Sequence, residues 1–272
     1  MNKTVVLTGG ATGVGAASAE RLAERGAEVI VLDIKRPLGG SARYIPCDMG
    51  DRGSIDAAVA EMPSPIDALV NVAGIPGPQP GELVIRVNFL GLRHLSERLL
   101  PSIRDGGTIV NVASTAGREW MRRIEPINGL LETRDFESGA EWCRINEERW
   151  AKDPYTFSKQ CVVAYSLRAA GYAVGRRVRV NCVSPGAVET QLTSNFRDQI
   201  GHEQFDWSVA QMGRMAQPKD IAEVVEFLAV GECGWLNGVD IWVDGGFTAG
   251  ILSGWINVAE SPAARARAAK NR

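Results

Sequence analysis

From one end of the chain to the other, short apolar runs alternate with helical patterns. Runs rich in β-branched residues recur at Lys3–Thr8, Ala27–Asp33, Arg43–Pro46, Ile66–Val72, Gly107–Ala113, Arg177–Val183 and Val239–Val243. Helix-like stretches fall between them at Ala16–Arg25, Ser54–Met62, Leu83–Leu100, Pro154–Ala173 and Pro218–Val230. Strands this apolar are buried on both faces, which parallel strands with helical crossovers achieve. The pattern predicts an α/β fold, a doubly wound parallel seven-stranded sheet in a single domain over residues 1–250. Two segments break the alternation. Residues 118–152 are charged and carry tryptophan. They are expected to form a helical insertion in which Trp142, Ile145, Arg149 and Trp150 share one helix face. Residues 251–272 form a C-terminal extension whose end, Ala259–Arg272, reads as a frayed tail.

Composition excludes several classes. The chain has 272 residues, 45% of them hydrophobic, enough for one sizeable core. A formal net charge of -2 gives no global attraction to nucleic acid or anionic membrane. No run of about 18 apolar residues is present, so no membrane span is expected. A first strand beginning at Lys3 leaves no room for a signal peptide. Cys47, Cys143, Cys161, Cys182 and Cys233 are scattered without C-x-x-C spacing. That argues against zinc and a disulfide framework, and for reduced thiols in the cytoplasm. No metal site is expected.

Between the first strand and first helix stands Thr8-Gly9-Gly10-Ala11-Thr12-Gly13-Val14-Gly15. Glycines there allow a tight turn and the approach of a pyrophosphate to the backbone. Asp33 ends the next strand, the context that a Rossmann dinucleotide site requires. A carboxylate at that point accepts hydrogen bonds from ribose hydroxyls and repels a 2′-phosphate, which favours NAD. Lys35 and Arg36 follow it, so NADP stands as the less favoured alternative.

Farther along, Tyr155 and Lys159 are four residues apart in a helical pattern and share one face. An ammonium beside a phenol is expected to lower the phenol's pKa. A tyrosine tuned this way exchanges a proton with an alcohol or ketone.

These residues, in this order, resemble the short-chain dehydrogenase/reductase family over nearly the whole chain. Thr8, Gly9, Gly13 and Gly15 match its cofactor motif. Asn71-Val72-Ala73-Gly74 matches its N-N-A-G strand, with a departure at Val72. Asp48, followed by Met49, matches an adenine-contacting aspartate. Asn88 matches the helix asparagine that supports the catalytic lysine, and Ser114 the serine after the fifth strand. Tyr155 and Lys159 match Y-x-x-x-K. Pro185-Gly186 with Val188 and Thr190 matches the loop at the nicotinamide carboxamide. The resemblance implies a catalytic set of Ser114, Tyr155, Lys159 and Asn88. It also implies cofactor contacts from Thr12, Val14, Ile34, Ala73 and Gly74, with Lys159 at the nicotinamide ribose. The long connection between Ser114 and Tyr155 is similar to the 3α-hydroxysteroid dehydrogenase/carbonyl reductase subgroup. There the insertion blocks one tetramer interface, so a homodimer is expected, with a tetramer the alternative.

The reaction implied is reversible hydride transfer between NAD and a hydrophobic cyclic or aromatic alcohol, secondary or allylic, of steroid, monoterpene or phenylpropanoid type. Leu192, Phe196, Phe205, Trp207, Met212 and Met215, with Trp120 and Met121, are candidates for an apolar pocket. Arg118, Arg122 and Arg123 read as a solvated face or as partners for a substrate carboxylate. His94 and His202 read as surface or helix residues. A non-catalytic NAD-binding sensor or scaffold is the alternative. A sugar-nucleotide epimerase fits less well, because the chain is short for its extra substrate domain.

Overall fold

The structure is a computed structural model and describes residues 3–40, 42–77 and 79–270. In chain order it runs β1 (Thr4–Thr8), α1 (Gly13–Glu24), β2 (Glu28–Asp33), β3 (Arg43–Pro46), α2 (Arg52–Ala60), β4 (Ile66–Asn71), α3 (Gly81–Ile85), α4 (Leu92–Leu99) and β5 (Ile103–Val112). Then follow α5 (Ile124–Leu131), α6 (Phe136–Ile145), α7 (Pro154–Ala173), β6 (Arg179–Pro185), α8 (Thr193–Ile200), α9 (His202–Met212), α10 (Pro218–Val230), β7 (Asp240–Val243), α11 (Phe247–Ser253) and α12 (Pro262–Lys270).

The seven strands form one parallel sheet in the order β3-β2-β1-β4-β5-β6-β7. Successive strand residues face opposite sides, and β1 shows the consequence. Val6 joins a core with Ile30, Leu69, Phe89 and Phe157, whereas Val5 and Leu7 join one with Leu22, Val31 and Val225. Helices α1 and α10 cover the second side, and α2, α4 and α7 the first. The chain leaves β1 in opposite directions to reach β2 and β4, so a crevice opens beyond the carboxyl ends of β1 and β4.

Several expectations need correction. The expected helix Leu83–Leu100 is interrupted by a π-helical turn at Arg86–Gly91, between α3 and α4. In the insertion, α6 stops at Ile145, where the Asn146 side chain donates to the Trp142 carbonyl at 2.9 Å. The four insertion residues therefore share no helix face: Trp150 is buried, while Ile145 and Arg149 are exposed. The expected frayed tail is helix α12 as far as Lys270; residues 271–272 lie outside the described residues. Pro262 opens it, Ser261 Oγ accepts from the Ala264 N–H, and alanine and arginine are strong helix formers. Gln204 of α9 accepts from the Ala263 N–H at 3.0 Å, which docks α12 on α9. The domain boundary expected at residue 250 falls inside α11. Among the described residues no helix is long and apolar enough to cross a membrane.

Candidate active site

The glycine turn sits at the carboxyl end of β1. Gly13 has φ of 55°, in the left-handed region. A Cβ on Gly15 would lie 1.9 Å from the Gly9 carbonyl oxygen, so no side chain fits where α1 begins. Gly9 N–H donates to the Leu32 carbonyl at 2.8 Å. Thr8 Oγ1 accepts from the Val72 and Ala73 N–H groups at 3.0 and 3.1 Å, tying the turn to the segment after β4. Asp33 accepts from the Ala11 N–H with one carboxylate oxygen and from the Lys35 N–H with the other, both at 2.9 Å. Each oxygen keeps a free acceptor site. Thr12 is exposed and makes no capping bond. Ile34 is exposed beside Asp33, and Val14 packs partly against the core. Asp48 is exposed and holds the Gly50 N–H. Arg36 stacks on the Tyr44 ring at 4.8 Å.

Two expected cofactor contacts turn inward. Asn71 is buried, and its amide donates to Ser96 and Asn111 at 3.0 and 2.8 Å. Met49 is buried in the core, and its carbonyl abuts Gly91 of the π turn. A side chain committed to the interior in this way offers a ligand only its backbone.

The loop after β6 closes over the same turn. Pro185 ends the strand, Gly186 N–H donates to the Val243 carbonyl, and Val188 bridges to Ala216. Thr190 Cγ2 lies 3.3 Å from the position of a Cβ on Gly13. The turn and this loop therefore form two walls of one cleft.

The candidate catalytic groups stand beside it. Tyr155 and Lys159 lie on the first turns of α7, with the ammonium 5.9 Å from the phenol ring centroid. Lys159 is buried and donates to the Val112 carbonyl at 3.0 Å. Burial holds its pKa down to about 8. Ser114, two residues past β5, accepts from the Ala116 N–H at 3.2 Å and stands near enough to Tyr155 to act on its pKa. Contrary to the expectation of a lowered phenol, burial pushes Tyr155 up to about 12, and Ser114 opposes that rise. The reason is enclosure: Tyr155 packs edge-on to Phe196 at 5.0 Å, and the lysine charge is turned toward a backbone carbonyl.

Asn88 occupies the π turn. Its side chain accepts from the Ile75 N–H at 2.8 Å and donates to the Ile75 carbonyl and Ser158 Oγ at 3.0 and 3.2 Å. A Cβ on Gly74 would lie 3.2 Å from Asn88 Oδ1 and 3.5 Å from Lys159 Nζ, so these three residues converge.

The insertion grips α7 at its start. Arg123 donates to Asp153, the N-cap of α7, at 2.7 Å and lies over the Phe157 ring at 4.8 Å. Trp142 stacks on Phe157 with centroids 6.3 Å apart. Arg122 pairs with exposed Glu119, and Arg118 donates to the Thr115 carbonyl. His94 is buried, bonded to Asp56 at 2.9 Å, whereas His202 is exposed on Asp198. Of the pocket candidates, Trp120 packs on the core, Phe205 is buried, Trp207 meets Phe247, and Met121 is exposed. Met212 lies against Gly245, and Leu192 is partly exposed where α8 begins. A cleft of about 800 Å³ lies next to the first turn of α7, lined by Gly81, Trp150, Pro154, Thr156 and Gln199. Its walls do not include Ser114, Tyr155 or Lys159. Sequence reasoning missed Ser158, Asp153 and Gln199, which carry no motif of their own.

A parallel sheet with a glycine cradle at its switch point, and proton-transfer groups beyond the next strands, is the framework of a nicotinamide-dependent oxidoreductase. Residues 3–125 match the short chain dehydrogenase family model, and residues 146–248 the model described as Enoyl-(Acyl carrier protein) reductase. The chain belongs to the short-chain dehydrogenase family, and it is an oxidoreductase of the alcohol dehydrogenase/carbonyl reductase kind. It is 35% identical to coniferyl-alcohol dehydrogenase of Pseudomonas sp. (strain HR199 / DSM 7063), covering 90% of this chain and 96% of that one. It is 30% identical to 3-alpha-hydroxysteroid dehydrogenase/carbonyl reductase of Comamonas testosteroni, with coverage of 90% and 96%. Among solved structures, the 3-alpha-hydroxysteroid dehydrogenase from Pseudomonas sp. B-0831 complexed with NADH superposes with a TM-score of 0.79. It is 28% identical and covers 94% of this chain and all of that one.

Proposed function

We propose that the protein interconverts a hydrophobic cyclic or aromatic alcohol and its carbonyl, with NAD as the hydride carrier and Tyr155 as acid and base. The observation that carries this reading is the convergence of Ser114, Tyr155 and Lys159 beside the glycine turn. The cradle fits a dinucleotide, because the glycines let the turn fold back on itself where α1 begins and the Asp33 carboxylate keeps acceptor sites. Thr12, Gly13 and Thr190 would hold the pyrophosphate and amide end, Asp33 the adenosine ribose, and Ile34 and Asp48 the adenine. Bound there, the nicotinamide supplies or accepts hydride.

The chain's own residues do the rest. Ser114 Oγ holds the substrate oxygen where charge changes most. Tyr155 exchanges the proton at that oxygen. Lys159 offers a cation beneath the phenol, and its depressed pKa lets it pass a proton near neutrality. Asn88 fixes the Ile75 backbone and Ser158 around the lysine.

NAD is favoured over NADP because Asp33 would face a 2′-phosphate while Arg36 is engaged on Tyr44. The names of the relatives support aryl allylic and steroid alcohols as substrates. Incubation with NAD or NADP and a panel of aryl, terpene and steroid alcohols tests the reading through nicotinamide absorbance. Tyr155→Phe is expected to lower kcat at least about a hundredfold. Full activity of that variant, or tighter binding of NADP than NAD, would overturn the corresponding part.

A further inference from the structure

Helix α8, like α12, buries none of its residues. It therefore contributes nothing to the two cores. It is held at its ends instead. At the start, Thr193 Oγ1 accepts from the Thr190 N–H at 2.8 Å and donates to the Val188 and Thr190 carbonyls. Near the other end, Gln199 Oε1 accepts from the Gly77 N–H at 3.2 Å, reaching across to the segment after β4. Phe196 precedes Gln199 by three residues, so the two share a face. The Phe196 ring meets Tyr155 edge-on, with centroids 5.0 Å apart and planes 62° apart. The half-buried ring thus packs on Tyr155, while its helix adds nothing to either core.

Its position has a chemical consequence. The substrate oxygen must lie within hydrogen-bond reach of both the Ser114 and Tyr155 hydroxyls, and the carbinol carbon is one bond beyond. Phe196 is the aromatic neighbour of that phenol, so a group on the carbinol carbon that runs along this side of Tyr155 meets its ring. Resting on the assignment of Tyr155 and Ser114 given above, we propose that Phe196 is a specificity-determining residue. Its ring is the wall that selects alcohols whose carbinol carbon bears an aryl or vinyl group over saturated alcohols of equal bulk. Aromatic pairs gain free energy beyond their area of contact, enough for a preference of up to about tenfold.

Two alcohols of matched size discriminate, trans-cinnamyl alcohol and 3-cyclohexylpropan-1-ol. Their binding to the enzyme–NADH complex is read by NADH fluorescence, and their turnover with NAD by absorbance, for the parent, Phe196→Ala and Phe196→Leu. The parent is expected to bind the cinnamyl compound several-fold more tightly. Both variants should lose that preference, with Leu, which keeps the apolar volume, binding the cyclohexyl compound as the parent does. NADH affinity should stay within about twofold, which separates the effect from misfolding. A parent that does not discriminate, that binds neither compound, or whose preference survives in both variants overturns the proposal. Discrimination in binding without turnover of either alcohol leaves Phe196 as the wall and sinks the catalytic reading alone.

Discussion

Lys159 shows how a single residue sets stability against chemistry. Its folded pKa of about 8 lies below its ordinary 10.5, so folding favours the neutral amine. The charged form is therefore destabilising by roughly 3 kcal/mol. That penalty is fully present below pH 8 and fades as pH rises through 10.5, when the unfolded chain also loses the proton. Lys159→Met removes it. The variant should be inactive, yet melt several degrees above the parent at pH 7 in the absence of cofactor, with the gap closing toward pH 10.5. Equal melting temperatures at pH 7 would mean that the Val112 carbonyl compensates the charge in full. Ser114 acts in the opposite sense, since it lowers the Tyr155 pKa against the rise that burial imposes. In Ser114→Ala the phenolate loses that support. The alkaline limb of kcat/KM for oxidation should then move to higher pH, with kcat down roughly a hundredfold or more. An unshifted profile in a pH-rate series would show that another group governs the limb.

Among the elements, the π turn at Arg86–Gly91 links fold to site most directly. Such turns are often found at functional sites, and here it carries Asn88 to the Ile75 backbone and Ser158. Asn88→Ala leaves an N–H and a carbonyl of Ile75 without their partner, a loss of about 1–3 kcal/mol. The melting temperature should fall accordingly. At temperatures well below melting kcat should fall too, because Lys159 loses its neighbour. A variant with a lowered melting point and unchanged kcat would make Asn88 a structural residue alone. The sequence could not reveal this turn, because an apolar pattern at helical spacing reads the same with one extra residue in a turn. Where local chemistry punctuates the chain, the reading held: α7 and α10 each begin at a proline and match the expected Pro154–Ala173 and Pro218–Val230. The glycine turn and the Tyr155/Lys159 pair were legible for the same reason, since their geometry is encoded within a few residues. The inward side chains of Asn71 and Met49 were not legible, because a motif fixes a position along the chain but not the direction of a side chain, which the surrounding core decides. The extension past Ser261 misled for a related reason. Its composition suits a solvated tail as well as a helix, and only docking on α9 separates the two.

At the level of the whole molecule, the insertion between Ser114 and Tyr155 packs onto α7 through Trp142 and Arg123, which meet Phe157. Arg93 of α4 is bound to it as well, donating to Thr133 Oγ1 at 3.0 Å and to the Thr133 carbonyl at 2.5 Å. The insertion therefore covers parts of α4 and α7. We expect a homodimer rather than a tetramer. Light scattering across a range of concentrations checks this, and a stable tetramer would overturn it. Helix α8 has a different consequence. A segment that reads the substrate while bearing none of the weight of the interior can be rewritten without endangering the rest. Substitutions among residues 194–198 should therefore change selectivity at little cost to melting temperature, because none of them belongs to either core.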